Sequence, residues 1–253
     1  MRRALLALCR LPVDDCAAAF TAALSGPAVL PRAALMLAAL LLSWWVYVPV
    51  HELLHVLGCV LGGGTVTRLE LDSIYGAAWL QRVFPFVSVG SDYAGQLTGF
   101  DTGGSDLTYL LTDWLPFALT IAIGVPLLRF TVRMRPGLRQ AALVGIAIPI
   151  AWAPLSCLPG DFYEMGSIAV SRVSAWVLPH ADLQRWRSDD VFRKAQQLMV
   201  TDGEIGDIAG VGASLAVGAI LALLTYAGGV WWSKVVYGVA RSPAGRVWFT
   251  RGA

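Results

Sequence analysis

Two histidines and a glutamate stand at a spacing that can do metal chemistry. In His51-Glu52-Leu53-Leu54-His55 the imidazoles are four residues apart. At helical pitch that is one turn, so both point the same way and can share one metal ion. Glu52, beside the first histidine, can reach a water on that metal and take its proton. As a bare pattern H-E-x-x-H also arises by chance on polar helix faces. The setting argues for the metal. Between residues 33 and 61, Glu52 is the sole Asp, Glu, Lys or Arg, and an acid with two imidazoles in an apolar span is costly to bury.

A catalytic zinc takes three protein ligands and keeps one position open. Asp161 is the best third ligand: it follows the apolar run 140–158 and falls on the same side of the membrane as His51 and His55 in the topology below. A lone Asp after Pro-Gly also reads as a turn residue. Glu164, about a turn further on, is the nearest competitor. Cys59 continues the ligand face four residues after His55, so it is a minor alternative as a thiolate, or as a neighbour of Cys157. His180, the one remaining histidine, sits among Leu-Pro and charged residues and reads as solvated. Two imidazoles, a carboxylate and an open position make zinc the default ion.

The elements that must position these groups are membrane helices. The 253-residue chain is 57% hydrophobic and 14% charged, with a mean hydropathy of +0.63. Soluble domains carry about a quarter charged residues. The deficit lies in long apolar runs, which makes this an α-helical polytopic membrane protein, a single integral membrane domain over residues 1–253. Four transmembrane helices are expected, at about 33–61, 107–130, 140–158 and 208–231. Pro31-Arg32 opens the first and Pro49 should bend it before the motif. Asp14-Asp15 could cap a short interfacial helix ending before Ser25-Gly26-Pro27. Arg10 and that acidic pair interrupt the first apolar run, against a cleaved signal peptide.

Thr65-Val-Thr-Arg-Leu-Glu-Leu-Asp72 alternates as a strand does, and Val83–Val89 is at most an edge strand because of Pro85. With the Gly-rich stretch that follows, these suggest a short β-hairpin or re-entrant segment beside the site, or an ordinary extramembrane loop. Asp113 lies at the interface or faces the site. Residues 163–206 form a polar segment, one or two amphipathic helices outside the membrane. The connection 129–139 carries Arg129, Arg133, Arg135 and Arg139. The positive-inside rule makes it cytoplasmic and, with the Arg-bearing tail (Arg241, Arg246, Arg251), puts both termini in the cytoplasm. There is no basic tract for nucleic acid, and no Asn anywhere, which closes N-glycosylation and any catalytic Asn.

The chain resembles the site-2 protease family of intramembrane metalloproteases. The likeness rests on His51-Glu52-Leu-Leu-His55 in the first span and Leu158-Pro159-Gly160-Asp161 at the end of the third, and covers about residues 33–162, the family's three-helix core. The family pattern carries an Asn and an Asp-Gly around its aspartate; here there is no Asn, and Phe162 follows Asp161. The resemblance implies a buried Zn²⁺ held by His51, His55 and Asp161, Glu52 as the catalytic base, and membrane-protein or peptide substrates cut within or next to transmembrane segments. It also implies a bilayer setting, the bacterial inner (plasma) membrane. Extended substrate would pair with the edge near Val66–Leu71. The alternatives are a non-proteolytic membrane binding or assembly protein that retains the metal, a cation transporter, and a hydrolase of another membrane substrate such as a lipid amide.

Overall fold

The computed structural model describes residues 2–177, 182–201 and 203–237. His180 and the tail arginines Arg241, Arg246 and Arg251 lie outside the described residues. Within these bounds the chain is mostly helical with one small sheet. Four helical stretches are long and apolar enough to cross a membrane: Val29–Leu61, Asp106–Thr131, Leu138–Val177 and Ile205–Tyr237. Contacts divide the chain into two units. One is built from Met1–Tyr47, Ala118–Ala153 and Leu223–Ala253, the other from Val48–Phe117 and Pro154–Ala222.

In the first unit, helix α1 (Arg2–Leu24) leads by a tight turn into α2 (Val29–Leu61). The turn needs Gly26 and Ala28 at positive φ. The buried Arg32 guanidinium holds it by donating to the carbonyls of Ser25 at 2.6 Å and Ala28 at 3.2 Å. Pro31 falls in the first turn of α2, where a missing N–H costs nothing. Asp14-Asp15 does not cap a helix. α1 starts upstream and runs through both residues, and through Pro12. The reason is an ion pair: Asp15, 1% exposed, accepts from Arg129 Nη1 at 2.6 Å on each carboxylate oxygen, and the Tyr226 hydroxyl donates to it at 3.3 Å. Arg129 belongs to helix α5 (Val125–Thr131), which follows a π-helical turn at Thr120–Gly124. It therefore spends its charge on Asp15, not on marking a solvent-facing loop.

In the second unit, the sheet consists of β1 (Thr65–Leu71), β2 (Val87–Val89) and β3 (Gly95–Asp101), with helix α3 (Ala77–Val83) before β2. The order is β2-β1-β3: β2 runs parallel to β1 and β3 antiparallel to it. The expected strand at β1 is present, and Val87–Val89 is an edge strand, but the arrangement is not a hairpin. The stretch containing Gly95 and Gly99 forms a third strand, and it makes β1 the central one. The alternation of β1 buries Leu69 and Leu71 in a core with Leu80 of α3, Val87 of β2 and Val48 and Val56 of α2. One face of α2 is thereby tied to the sheet over the length that carries the motif.

Helix α4 (Asp106–Trp114) returns along α2. A Cβ added at Gly58 would stand 2.5 Å from the Leu111 carbonyl oxygen, and one at Gly62 would stand 2.7 Å from Thr108 Cγ2. Two glycines four residues apart thus let two helices touch backbone to backbone, the small-xxx-small contact of membrane helices. Thr108 Oγ1 closes it by donating to the Gly62 carbonyl at 2.8 Å.

The third long stretch does not leave the helix at Leu158. Helix α6 (Leu138–Ser156) passes through a π-helical turn at Leu158–Phe162 into α7 (Tyr163–Val177). The first third of the expected polar segment, Tyr163–Val177, is therefore a continuation of that stretch, with Met165, Ile168 and Ser171 buried. Its packing on α9 (Ile205–Tyr237) depends on Gly166, where a Cβ would meet the Ser214 carbonyl oxygen. The expected amphipathic helix is α8 (Val191–Val200), capped by the Asp190 carboxylate.

Replacing one partner of the buried pair strands the other charge. Arg129→Ala is expected to lower unfolding free energy by about 3–5 kcal/mol, measured by equilibrium unfolding in detergent micelles, and Asp15→Leu combined with Arg129→Met should recover most of the loss.

Candidate metal centre

The spacing of the motif does what helical pitch requires. On α2, His51 Nε2 and His55 Nε2 lie 3.1 Å apart. Both imidazoles and Glu52 are buried, at 6%, 7% and 9% exposure. The third donor arrives from 110 residues away: Asp161 Oδ2 is 3.3 Å from His51 Nε2 and 3.7 Å from His55 Nε2. A tetrahedral ion with ligand bonds of about 2.0–2.1 Å has ligand–ligand edges of about 3.3 Å. The three donors fit such an ion.

Hydrogen bonding fixes the tautomer of one ligand. His55 Nδ1 lies 2.9 Å from the Thr112 carbonyl oxygen. A carbonyl only accepts, so Nδ1 carries a proton and Nε2 is the ring nitrogen left to face an ion. Nε2 lies 3.7 Å from the Asp161 carboxylate oxygen, a contact that a proton or a cation between the two would satisfy. The Thr112 carbonyl is available because Gly58 lets α4 come so close to α2.

Asp161 owes its position to the π-helical turn. Pro159 has no N–H to give the helical ladder, and Gly160 departs from helical backbone at φ −99°, ψ −109°. The turn widens and throws Asp161 inward, in keeping with the frequency of such turns at functional sites. Phe117 walls one side, its ring centroid 5.3 Å from that of His51 and 4.5 Å from that of Phe162. The Asp161 side chain keeps 24% exposure, so the centre is reachable from that side.

Glu52 lies against the sheet. A Cβ added at Gly95, the first residue of β3, would stand 2.5 Å from Glu52 Cγ. The strand start and the carboxylate occupy adjoining space only because that residue has no side chain.

The other candidates fall elsewhere. Glu164 accepts a hydrogen bond from the Tyr109 hydroxyl and is not in the donor cluster. The Cys59 thiol donates to the Thr65 carbonyl at 3.7 Å, at the foot of the sheet, and is not disulfide-bonded to Cys157. Asp113 is buried beside Thr112, and its Oδ2 has no hydrogen-bond partner among the described residues. Cys157 was not foreseen as part of the site, yet its sulfur, a His51 nitrogen and an Asp161 oxygen all lie within 4.8 Å of one another. Its spacing of four from Asp161 was the available signal. Thr112 contributes a backbone carbonyl and Gly95 an absence of side chain, and neither leaves a mark in residue type.

Comparison with protein-family profiles, characterised proteins and solved structures returns no match. The residues and their geometry carry the functional argument.

Asp161→Ala removes the donor from the far helix and leaves the two imidazoles in place. Zinc in the purified protein, measured by elemental analysis, is expected to fall from near-stoichiometric to a minor fraction, while Glu164→Gln should keep its metal.

Proposed function

We propose that this protein is an intramembrane zinc metalloprotease, a hydrolase of peptide bonds within or beside the membrane-spanning segments of other proteins. The observation that carries the reading is the donor triangle of 3.1, 3.3 and 3.7 Å closed by His51, His55 and Asp161, with Glu52 buried in the same turn. The resemblance to the site-2 protease family points the same way, as does the location of the motif on a helix able to span a bilayer.

His51, His55 and Asp161 would hold the ion. When bound, it supplies Lewis-acid chemistry, lowering the pKa of a coordinated water towards about 7 and polarising the scissile carbonyl. Glu52 accepts the proton of the attacking water on its carboxylate and delivers it to the departing amine nitrogen. His55 is kept in the ligating tautomer by Thr112, so the centre does not reorganise as charge develops. Phe117 and Phe162 exclude water from one side of the site.

Substrate enters as an extended chain, because a helix keeps its own carbonyls hydrogen-bonded. The strand that receives it is β3. β1 is flanked by β2 and β3 over Leu69–Leu71, so the edge first expected near Val66–Leu71 is largely taken. β3 pairs only with β1 among the described residues, and it begins against Glu52. A peptide added along its free edge would run past the base. The protein is an integral membrane enzyme in this reading, of the bacterial inner membrane, with its termini in the cytoplasm.

Glu52→Gln keeps the shape and removes the base. Hydrolysis of a membrane-protein substrate in proteoliposomes is expected to fall by about 10²–10⁴-fold with zinc content unchanged. Stoichiometric zinc with no hydrolysis by the unaltered protein, across a panel of transmembrane substrates, would favour the non-proteolytic binding protein. Gly95→Ala, which displaces Glu52 without touching a ligand, is expected to cost on the order of 10²-fold in rate and to leave bound zinc unchanged.

A further inference from the structure

The three donors on His51, His55 and Asp161 leave a fourth corner of a tetrahedron open, and among the described residues a further soft donor, Cys157, lies beside two of them. Its sulfur falls within 4.8 Å of both a His51 nitrogen and an Asp161 oxygen. Cys157 stands at the start of the π-helical turn and Asp161 lies within it, next to the non-helical backbone at Gly160. The sulfur is not held in a disulfide.

We propose that Cys157 is a fourth protein ligand that closes the metal centre at rest, a self-inhibited state that substrate must open. The inference rests on the metal-binding reading above. Zinc centres with four protein ligands are structural and those with three are catalytic; a centre able to gain or lose its fourth ligand passes between the two. Thiolate is the softest donor available and binds such an ion tightly. In the closing step the Cys157 thiol gives its proton to solvent on the exposed side of Asp161, one sulfur–metal bond forms, and the water leaves the fourth corner. Opening reverses each change, with no electron transferred. A free Cys157 is then alkylated by iodoacetamide, whereas a ligated one is protected.

The test uses the full-length protein in detergent, loaded with Co²⁺ in place of zinc. The unaltered protein is expected to show the intense near-ultraviolet thiolate-to-cobalt absorption. Cys157→Ala and Cys157→Ser are expected to lose it while keeping stoichiometric cobalt, and to hydrolyse substrate severalfold faster. In the unaltered zinc protein, peptide-resolved mass spectrometry should find Cys157 protected from iodoacetamide and exposed by a chelator. Stoichiometric cobalt with no thiolate band would overturn the role of Cys157 and leave the three-ligand centre standing, as would alkylation of Cys157 that ignores the chelator. Failure of the unaltered protein to bind cobalt would overturn both.

Discussion

Two imidazole nitrogens and a carboxylate oxygen meet within 3.7 Å of one another in the interior of a helical, bilayer-compatible unit. The cost of desolvating them is the constraint on which the rest of the second unit depends. A cation at the centre would offset that cost. Everything nearby brings those atoms together and keeps them there. Gly58 and Gly62 remove side chains so that α4 can set the Thr112 carbonyl on His55. Pro159 and Gly160 break the helical ladder so that Asp161 leaves the face it would otherwise share with α6. The sheet core of Leu69, Leu71 and Val87 holds the opposite face of α2.

The first unit answers the same physical demand by another route. Asp15 and Arg129 are buried to 1% and 3% exposure, and Arg129 donates to both oxygens of its partner. Here the charges neutralise each other and leave no place for an ion. Tyr226 supplies a further donor, so the carboxylate is well satisfied. A pair of this kind holds three helices in register. The two units thus show the two ways a membrane protein can keep charge in its interior: cancel it within the chain, or present it to a ligand.

The sheet shows how the site acquires direction. Were residues 65–101 a hairpin, β1 would offer a free edge and the Glu52 carboxylate would have no fixed relation to it. With β3 on the outside, the free edge begins at Gly95, in contact with the Glu52 side chain. The strand was hard to foresee, because Gly95-Gln-Leu-Thr-Gly-Phe-Asp101 carries two glycines, and glycine weakens strand propensity. Its pairing with β1 and its seat against α2 supply what its composition lacks.

Local order was legible in the residues. Hydropathy over runs of twenty or so marked the four long apolar stretches; the i, i+4 spacing aimed His51 and His55 the same way; alternation marked β1; the breakers Pro159 and Gly160 marked the turn before Asp161. Each signal is short-ranged, set by the chain's own pitch and by solvent preference. The sequence alone therefore determined a helical membrane-type chain with two imidazoles on one helix face and a carboxylate beside them. Tertiary structure decided the rest. It selected Asp161 over Glu164 and Cys59 as the group that meets the imidazoles, drew Cys157 towards them, sent Asp15 to Arg129 instead of to a helix cap, and made β3 the outer strand. These outcomes depend on which backbones approach closely enough to touch, and that is governed by the fit of whole helix faces more than a hundred residues apart, which no local pattern encodes.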